Sequence, residues 1–494
     1  MEKTLKQRTA GSLKWNIVDR IGSQILYAVT GIILARELSQ EAFGLVGAIL
    51  VFQAFALLFV DSGFSYALIQ RKRSTDLGYS TVFWFNLLIA TALYAILWLC
   101  APLIADCFGG DQRLIPLSRV MFLSFIINAT AIVQTNRLAK QMNFKPIALT
   151  NIVGLAAGAV VGITMAFKNY GPWAIVWQTI TINAVKSVCL WGYCRWIPLL
   201  KFSWEELRTY FKVGVGMMGT SFLNVLFQNI YSFLVGNRVG IVPLGYYSQS
   251  DKWSKMGVTA VSQILTSSFL PTLSEVQDDP ERFRRVVSKM NRFTGYLLFP
   301  AILFLMAAAT PIFHTLFGEK WDPSIILFQL LLFRGIFTVL NTLYNNYMLA
   351  LGKSQYIFRL EVLRDVVAAI GLVITLPYMA STLPTDPVYG LQIMLWGQVV
   401  ASLIAFVATI ITTAKVTGIS ILSFLRDLAP YIVSSLIIAA LISVIPQLIS
   451  PIVTADWIVL LIQIVVSLSL YVGINALFPS KIQRDILNQL KHRH

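Results

Sequence analysis

ILARELSQEAFGL, residues 33–45, returns as LVGNRVGIVPLGY, residues 234–246, at an offset of about 201 residues. The match runs from Ile33-Leu34-Ala35-Arg36 onto Leu234-Val235-Gly236-Asn237, and from Phe43-Gly44-Leu45 onto Leu244-Gly245-Tyr246. Six apolar spans precede each return to the motif. Because six is even, the two halves enter a membrane with the same polarity, which makes them parallel repeats about an axis along the membrane normal. The cytoplasmic joint between them falls in LLKFSWEEL, residues 199–207.

Spans are read with a window of about 20 residues, the length that crosses a hydrocarbon core of about 30 Å. About fourteen emerge, near 14–35, 42–67, 81–102, 114–136, 147–167, 172–195, 213–236, 243–270, 293–316, 325–350, 356–379, 388–413, 429–449 and 455–478. The predicted fold class is therefore an all-α polytopic membrane protein. It has a six-helix lobe over 1–201, a second over 202–418, and two added helices with a tail over 419–494.

Charge distribution sets the orientation. Of 39 Lys and Arg, about 27 fall in the N-terminal tail, the even-to-odd connections and the C-terminal tail, and about five on the opposite side. Both termini are thus expected in the cytoplasm. The chain is 56% hydrophobic and 13% charged, with a mean hydropathy of +0.70. A net charge of +16 would suggest nucleic acid in a soluble protein; here it is the cytoplasmic bias plus charges inside the spans, and no nucleic-acid partner is expected. The longest connection, about 271–292, is too short to fold alone, so no extramembrane catalytic domain is expected. The basic start leads into a full-length span without a small-residue cleavage site and reads as a retained helix. The four Cys read as small apolar filler, with a Cys100–Cys107 disulfide as the lesser alternative. Trp173, Trp196, Trp204, Trp321 and Trp457 lie near span ends and read as interfacial anchors. His314 reads as a lone surface histidine near a periplasmic end.

Polar residues recur every three or four positions in several spans, which puts them on one helix face. Span one carries Asn16, Arg20, Ser23, Tyr27 and Thr30; span seven Thr220, Asn224, Gln228 and Tyr231; span eight Ser248, Asp251, Lys255, Thr259, Ser262 and Thr266; span ten Arg334, Thr338, Asn341 and Asn345. Such faces avoid lipid. Seven basic residues lie within spans: Arg20, Arg119, Lys186, Lys252, Lys255, Arg334 and Arg364. A charge at bilayer depth costs several kcal/mol, so these face the bundle interior or a watery cavity. Two readings stay open. Glu361 with Arg364, and Asp251 with Lys255, have the spacing of structural ion pairs, and Asp19 could neutralise Arg20. Arg119 and Arg20 lie near enough to span ends to snorkel. Lys186, Lys252 and Arg334 are deeper and have no acidic residue three or four positions away, which favours a cation-lined cavity with an anionic ligand. Gly154, Gly158 and Gly162 form small-xxx-small steps and read as close helix packing. Pro300 and Pro377 interrupt two spans.

GSLKW (11–15), LARELSQEAFGL (34–45), VDSGFSYALIQRK (60–72), TVFWFN (81–86), LPTLSEVQDDPERFR (270–284) and FGEKWDPSIILFQLLL (317–332) together resemble the polysaccharide-unit flippases of the multidrug/oligosaccharidyl-lipid/polysaccharide exporter superfamily. The last two strings look most like its colanic-acid exporter branch. The resemblance covers the chain except its last two helices. It implies two lobes flanking a central cavity lined by helices one, two, seven and eight. It also implies a substrate, an oligosaccharide repeat on undecaprenyl pyrophosphate, moved between leaflets of a bacterial inner membrane. No cofactor or metal is implied; membrane lipids, a polymerase and a chain-length regulator are the expected partners. Asp61, Asp251 and Glu361 are candidates for binding a coupling proton or Na⁺. Two alternatives remain: a multidrug cation antiporter of the same superfamily, which needs carboxylates to dominate the cavity, and a membrane polymerase or ligase, which usually needs a long extramembrane loop.

Overall fold

The computed structural model describes residues 5–61, 63–71, 74–381, 386–449 and 455–477, and every regular element in them is helical. The chain separates into two compact units, Met1–Gly245 and Tyr246–His494. The first holds α1 (Leu5–Glu37), α2 (Gln40–Asp61), α3 (Phe64–Gln70), α4 (Asp76–Leu99), α5 (Ala101–Cys107), α6 (Leu114–Met121), α7 (Leu123–Lys140), α8 (Phe144–Phe167), α9 (Trp173–Cys194) and α10 (Trp204–Arg238). The boundary falls in the first turns of α11 (Ile241–Glu275). The second unit continues with α12 (Pro280–Ala307), α13 (Ala309–Leu316), a 3₁₀ turn (Glu319–Trp321), α14 (Asp322–Ala350), α15 (Ser354–Ser381), α16 (Pro387–Thr417), α17 (Ile421–Ile449) and α18 (Asp456–Leu477).

Ten helical segments among the described residues are long and apolar enough to cross a membrane. The remaining long helices, α9, α10, α11 and α15, are those that carry Lys186, the Asn224 and Gln228 stripe, the Asp251 and Lys255 stripe, and Arg364. Helix starts follow side-chain capping: Thr75 Oγ1 accepts from Gly78 N at 3.0 Å, and Asp279 Oδ1 accepts from Arg282 N at 3.0 Å ahead of Pro280. Between α2 and α3 the chain turns at Gly63, whose φ of 67° is open to glycine without strain.

In the first unit α8 packs on α1 and α9, α7 on α4 and α9, and α10 on α2, α3 and α4. The glycine steps of α8 do what their spacing predicts. A Cβ at Gly154 would lie 2.9 Å from Ile182 O, and one at Gly162 3.0 Å from the Gln178 Cβ, so α9 approaches to backbone contact. Lys140 at the end of α7 donates to Leu68 O at 3.0 Å, Arg71 O at 2.5 Å and Ser74 Oγ at 2.7 Å, closing the free carbonyls at the end of α3. Arg71 in turn pairs with Glu206 in the first turn of α10.

In the second unit α16 packs on α14 and α15, α12 on α17, and α18 on α17 and α13. Buried Asn291 donates to Phe424 O at 3.0 Å and accepts from Tyr344 Oη at 3.2 Å, linking α12, α14 and α17. Helices α12 and α15 run on through Pro300 and Pro377. His314 is not alone: its Nε2 lies 2.7 Å from Asp322 Oδ1 and its Nδ1 3.3 Å from Asp456 Oδ2, tying α13 to the first turns of α14 and α18. Two of the tryptophans expected as interfacial anchors are core residues, Trp196 and Trp321, because each packs beneath other helices and aromatic rings; Trp204 and Trp457 are exposed. All four cysteines are free.

Candidate functional site

On α1, Asn16, Arg20 and Tyr27 are exposed, Ser23 is half-buried and Thr30 is buried. Asp19 does not neutralise Arg20. Its carboxylate accepts from Asn151 Nδ2 of α8 at 3.1 and 3.0 Å and from Ser23 Oγ at 3.2 Å, because the α1–α8 packing points it inward while Arg20 points out. Lys186 of α9 lies against Gly154 of α8, where an added Cβ would come within 3.3 Å of the Lys186 Cβ. Asp61, the last residue of α2, accepts from Ser65 Oγ, and Ser65 Oγ accepts from Asn136 Nδ2 of α7 at 2.7 Å. Arg119 stacks on the Trp98 ring at 4.0 Å and donates Nε–H to Trp98 O at 3.3 Å, which accounts for it locally.

On α10, Asn224 and Gln228 are exposed while Tyr231 is buried; the side chain of Thr220 lies outside the described residues, as does that of Thr266 on α11. On α11 two faces separate cleanly. Gly257, Val258 and Val261 face packing partners: Val258 fills the space over Gly335 of α14, and Ser250 Oγ donates to Ser324 O at 2.8 Å. Lys252, Lys255 and Thr259 lie on the exposed side. Asp251 and Lys255 form an ion pair at 2.6 Å, the i, i+4 arrangement their spacing allows. Lys252 Nζ lies 5.3 Å from the Trp253 ring centroid.

On α14, Arg334 Nη1 donates to Gln398 Oε1 of α16 at 2.5 Å. Thr338 is exposed one turn on, and Asn341 and Asn345 each hold a buried side-chain oxygen with no hydrogen-bond partner among the described residues. On α15 the expected Glu361–Arg364 pair does not form. Arg364 turns to its neighbour Asp365, with Nη2 to Oδ1 at 2.9 Å and Nε to the same oxygen at 3.0 Å, and Glu361 is left exposed. A carboxylate one residue away outcompetes one three away because the guanidinium reaches both nitrogens onto it.

Each unit thus gathers its own polar group. The first holds Asp19, Ser23 and Asn151; the second holds Arg334 with Gln398, and the Asp251–Lys255 pair. Reading along the chain missed Asn151, Asp365 and Gln398 as partners. Gln398 had one signal, an amide deep within the apolar run IMLWGQVVA, residues 393–401.

The family model described as "Polysaccharide biosynthesis protein" matches residues 33–326. Relatives include the succinoglycan biosynthesis transport protein ExoT of Rhizobium meliloti (strain 1021), 26% identical over 368 residues that make up 74% of either chain. The lipopolysaccharide biosynthesis protein WzxC of Escherichia coli (strain K12) is 24% identical over 367 residues, 73% of this chain and 74% of that one. In fold the chain is similar to the lipid II flippase MurJ in an inward closed conformation, with a TM-score of 0.70 at 16% identity, covering 96% of this chain and all 100% of that one. It is also similar to an inward-facing multidrug resistance transporter of the MATE family, with a TM-score of 0.61 at 15% identity over 82% of this chain and 99% of the other. With more than half of its length inside the family match, the chain belongs to the polysaccharide biosynthesis protein family, with a fold similar to that of MurJ and of the MATE-family transporter.

Proposed function

We propose that this transporter flips an oligosaccharide repeat carried on undecaprenyl pyrophosphate from the cytoplasmic to the periplasmic leaflet of a bacterial inner membrane. Two parallel six-helix lobes, 1–201 and 202–418, rock about a central cavity in alternating access; the region 419–494 adds two spans and a cytoplasmic tail, giving fourteen spans and two cytoplasmic termini. A polymerase and a chain-length regulator would take up the product. The proposed cations are Arg20, Arg119, Lys186, Lys252, Lys255, Arg334 and Arg364, and Asp61, Asp251 and Glu361 are the proposed coupling carboxylates.

The observation that supports an anionic substrate most directly is Arg334. It lies about three turns from the start of α14 (Asp322–Ala350) and about four from its end, too deep in the helix to snorkel. Among the described residues no carboxylate lies within ion-pair distance of it. A mid-helix cation without a counter-charge is expensive unless a ligand supplies one. A pyrophosphate headgroup, which cannot cross a bilayer bare, is the kind of ligand that fits.

The test is complementation of a strain lacking the gene. Arg334→Ala, inserted at normal abundance, is expected to abolish surface-polysaccharide export and leave lipid-linked repeats in the cytoplasmic leaflet, and Arg334→Lys to restore part of it. Normal export by Arg334→Ala would overturn the reading. Efflux of an organic cation such as tetraphenylphosphonium, with export intact in the deletion strain, would favour the antiporter.

A further inference from the structure

Gln398 sits in the middle of α16, 3% exposed, with its side-chain oxygen 2.5 Å from Arg334 Nη1. Its side-chain nitrogen is buried and has no partner among the described residues, and neither does Arg334 Nε. The pair is therefore held at one point, with donors left over on both sides of it. That differs from every other intramembrane cation with a close acceptor. Lys255 is balanced by Asp251 at 2.6 Å and Arg364 by Asp365 at 2.9 Å. Arg119 is spent on the ring and carbonyl of Trp98.

We infer that Gln398 is a positioning residue for the anionic substrate: a neutral acceptor that fixes the Arg334 guanidinium in place without cancelling its charge. A carboxylate at position 398 would hold the guanidinium at least as firmly, through a charge-assisted bond. It would also cancel the charge, and a phosphate arriving there would meet a neutral pair with an acidic half. An amide keeps the geometry and leaves the full positive charge for the ligand. This assignment rests on the anionic-substrate reading of Arg334.

The probe is a short-chain polyprenyl pyrophosphate, titrated against the purified full-length protein in detergent and followed by intrinsic tryptophan fluorescence. Gln398→Glu is expected to keep the unfolding temperature of the wild type and to weaken probe binding about tenfold or more, the value of one charge-assisted contact. Gln398→Met, which removes the tether and keeps the charge, is expected to weaken it less. The order wild type, Met, Glu is the signature of charge, because a merely structural tether would rank Glu above Met. Equal binding by wild type and Gln398→Glu would overturn the role of Gln398 and leave the anionic reading standing. No binding of the probe by the wild type would overturn both. Should Gln398→Glu fail to insert, the exchange Arg334→Gln with Gln398→Arg decides: it retains one cation and one amide at the same contact and is expected to bind within about tenfold of wild type. Complete loss there, in a folded protein, would overturn the proposal.

Discussion

Gly44 and Gly245, 201 residues apart, each occupy the place where the other copy of the motif brings its main chain. A Cβ on Gly44 would strike the carbonyl of Ile241, and a Cβ on Gly245 would strike that of Gln40; Gln40 and Ile241 are themselves 201 residues apart. The two contacts are thus the same contact seen from each copy, between the first turns of α2 and α11. Gly44→Ala and Gly245→Ala are each expected to destabilise the purified protein by about 1–3 kcal/mol, the usual cost of overpacking where backbone blocks relief. Gly192→Ala in α9, where nothing lies within 4 Å of the added carbon, should be neutral or stabilising by up to about 1 kcal/mol. Thermal unfolding of the three variants measures this, and equal effects at all three would refute it.

Asp251 and Lys255 are a pair in the structure, so removing one partner should do more harm than removing both. Lys255→Ala is expected to lower the amount of protein in the membrane by leaving a half-buried carboxylate unpaired. The double change Asp251→Asn with Lys255→Gln is expected to recover both abundance and export. Recovered abundance with export still absent would place Lys255 on the substrate.

The two faces of α11 differ in what touches them, and thiol chemistry reads that difference. On a background lacking Cys100, Cys107, Cys189 and Cys194, cysteines at Lys255 and Thr259, both exposed, should react rapidly with a water-soluble maleimide. Cysteines at Val258 and Val261, which pack inward, should react several times more slowly. Equal rates would remove the polar stripe as an accessible face.

Arg113 holds the loop before α6 to the start of α2, with Nη2 2.7 Å from Asp111 Oδ2 and 2.5 Å from Glu41 Oε1. Hydrogen bonds from Arg113 keep the Asp111 carboxyl below its usual range. A carboxyl lowered on folding adds stability above its unfolded pKa and loses it as pH falls through the folded one. Asp111→Asn should therefore cost stability at pH 7, by less than about 1 kcal/mol for so exposed a pair, and the gap from wild type should close as the pH is taken below the aspartate range. A gap that widens in acid would contradict the pairing.

His314 bridges two aspartates that open two different helices, Asp322 of α14 and Asp456 of α18. Replacing it with Ala should loosen the first turn of α18, seen as faster amide hydrogen exchange over residues 456–460, with the exchange of α16 unchanged. Unchanged exchange in that turn would show that apolar packing alone holds α18 there.

Hydropathy and loop charge are local, additive properties, so the helical membrane class, the polar stripes, the glycine steps of α8 and the repeat at 33–45 and 234–246 were all legible along the chain. Spacing along one helix also anticipated the Asp251–Lys255 pair, since i, i+4 neighbours meet in any α-helix. Partners on different helices were not legible. Asp19 turned to Asn151 instead of Arg20, and Arg334 found Gln398, because those contacts depend on which helices pack and at what rotation. Trp196 and Trp321 entered the core for the same reason. Side-chain pairing across helices is settled by packing that no single span contains, and so only the tertiary structure decided that Asp19 meets Asn151 and that Arg334 meets an amide instead of a carboxylate.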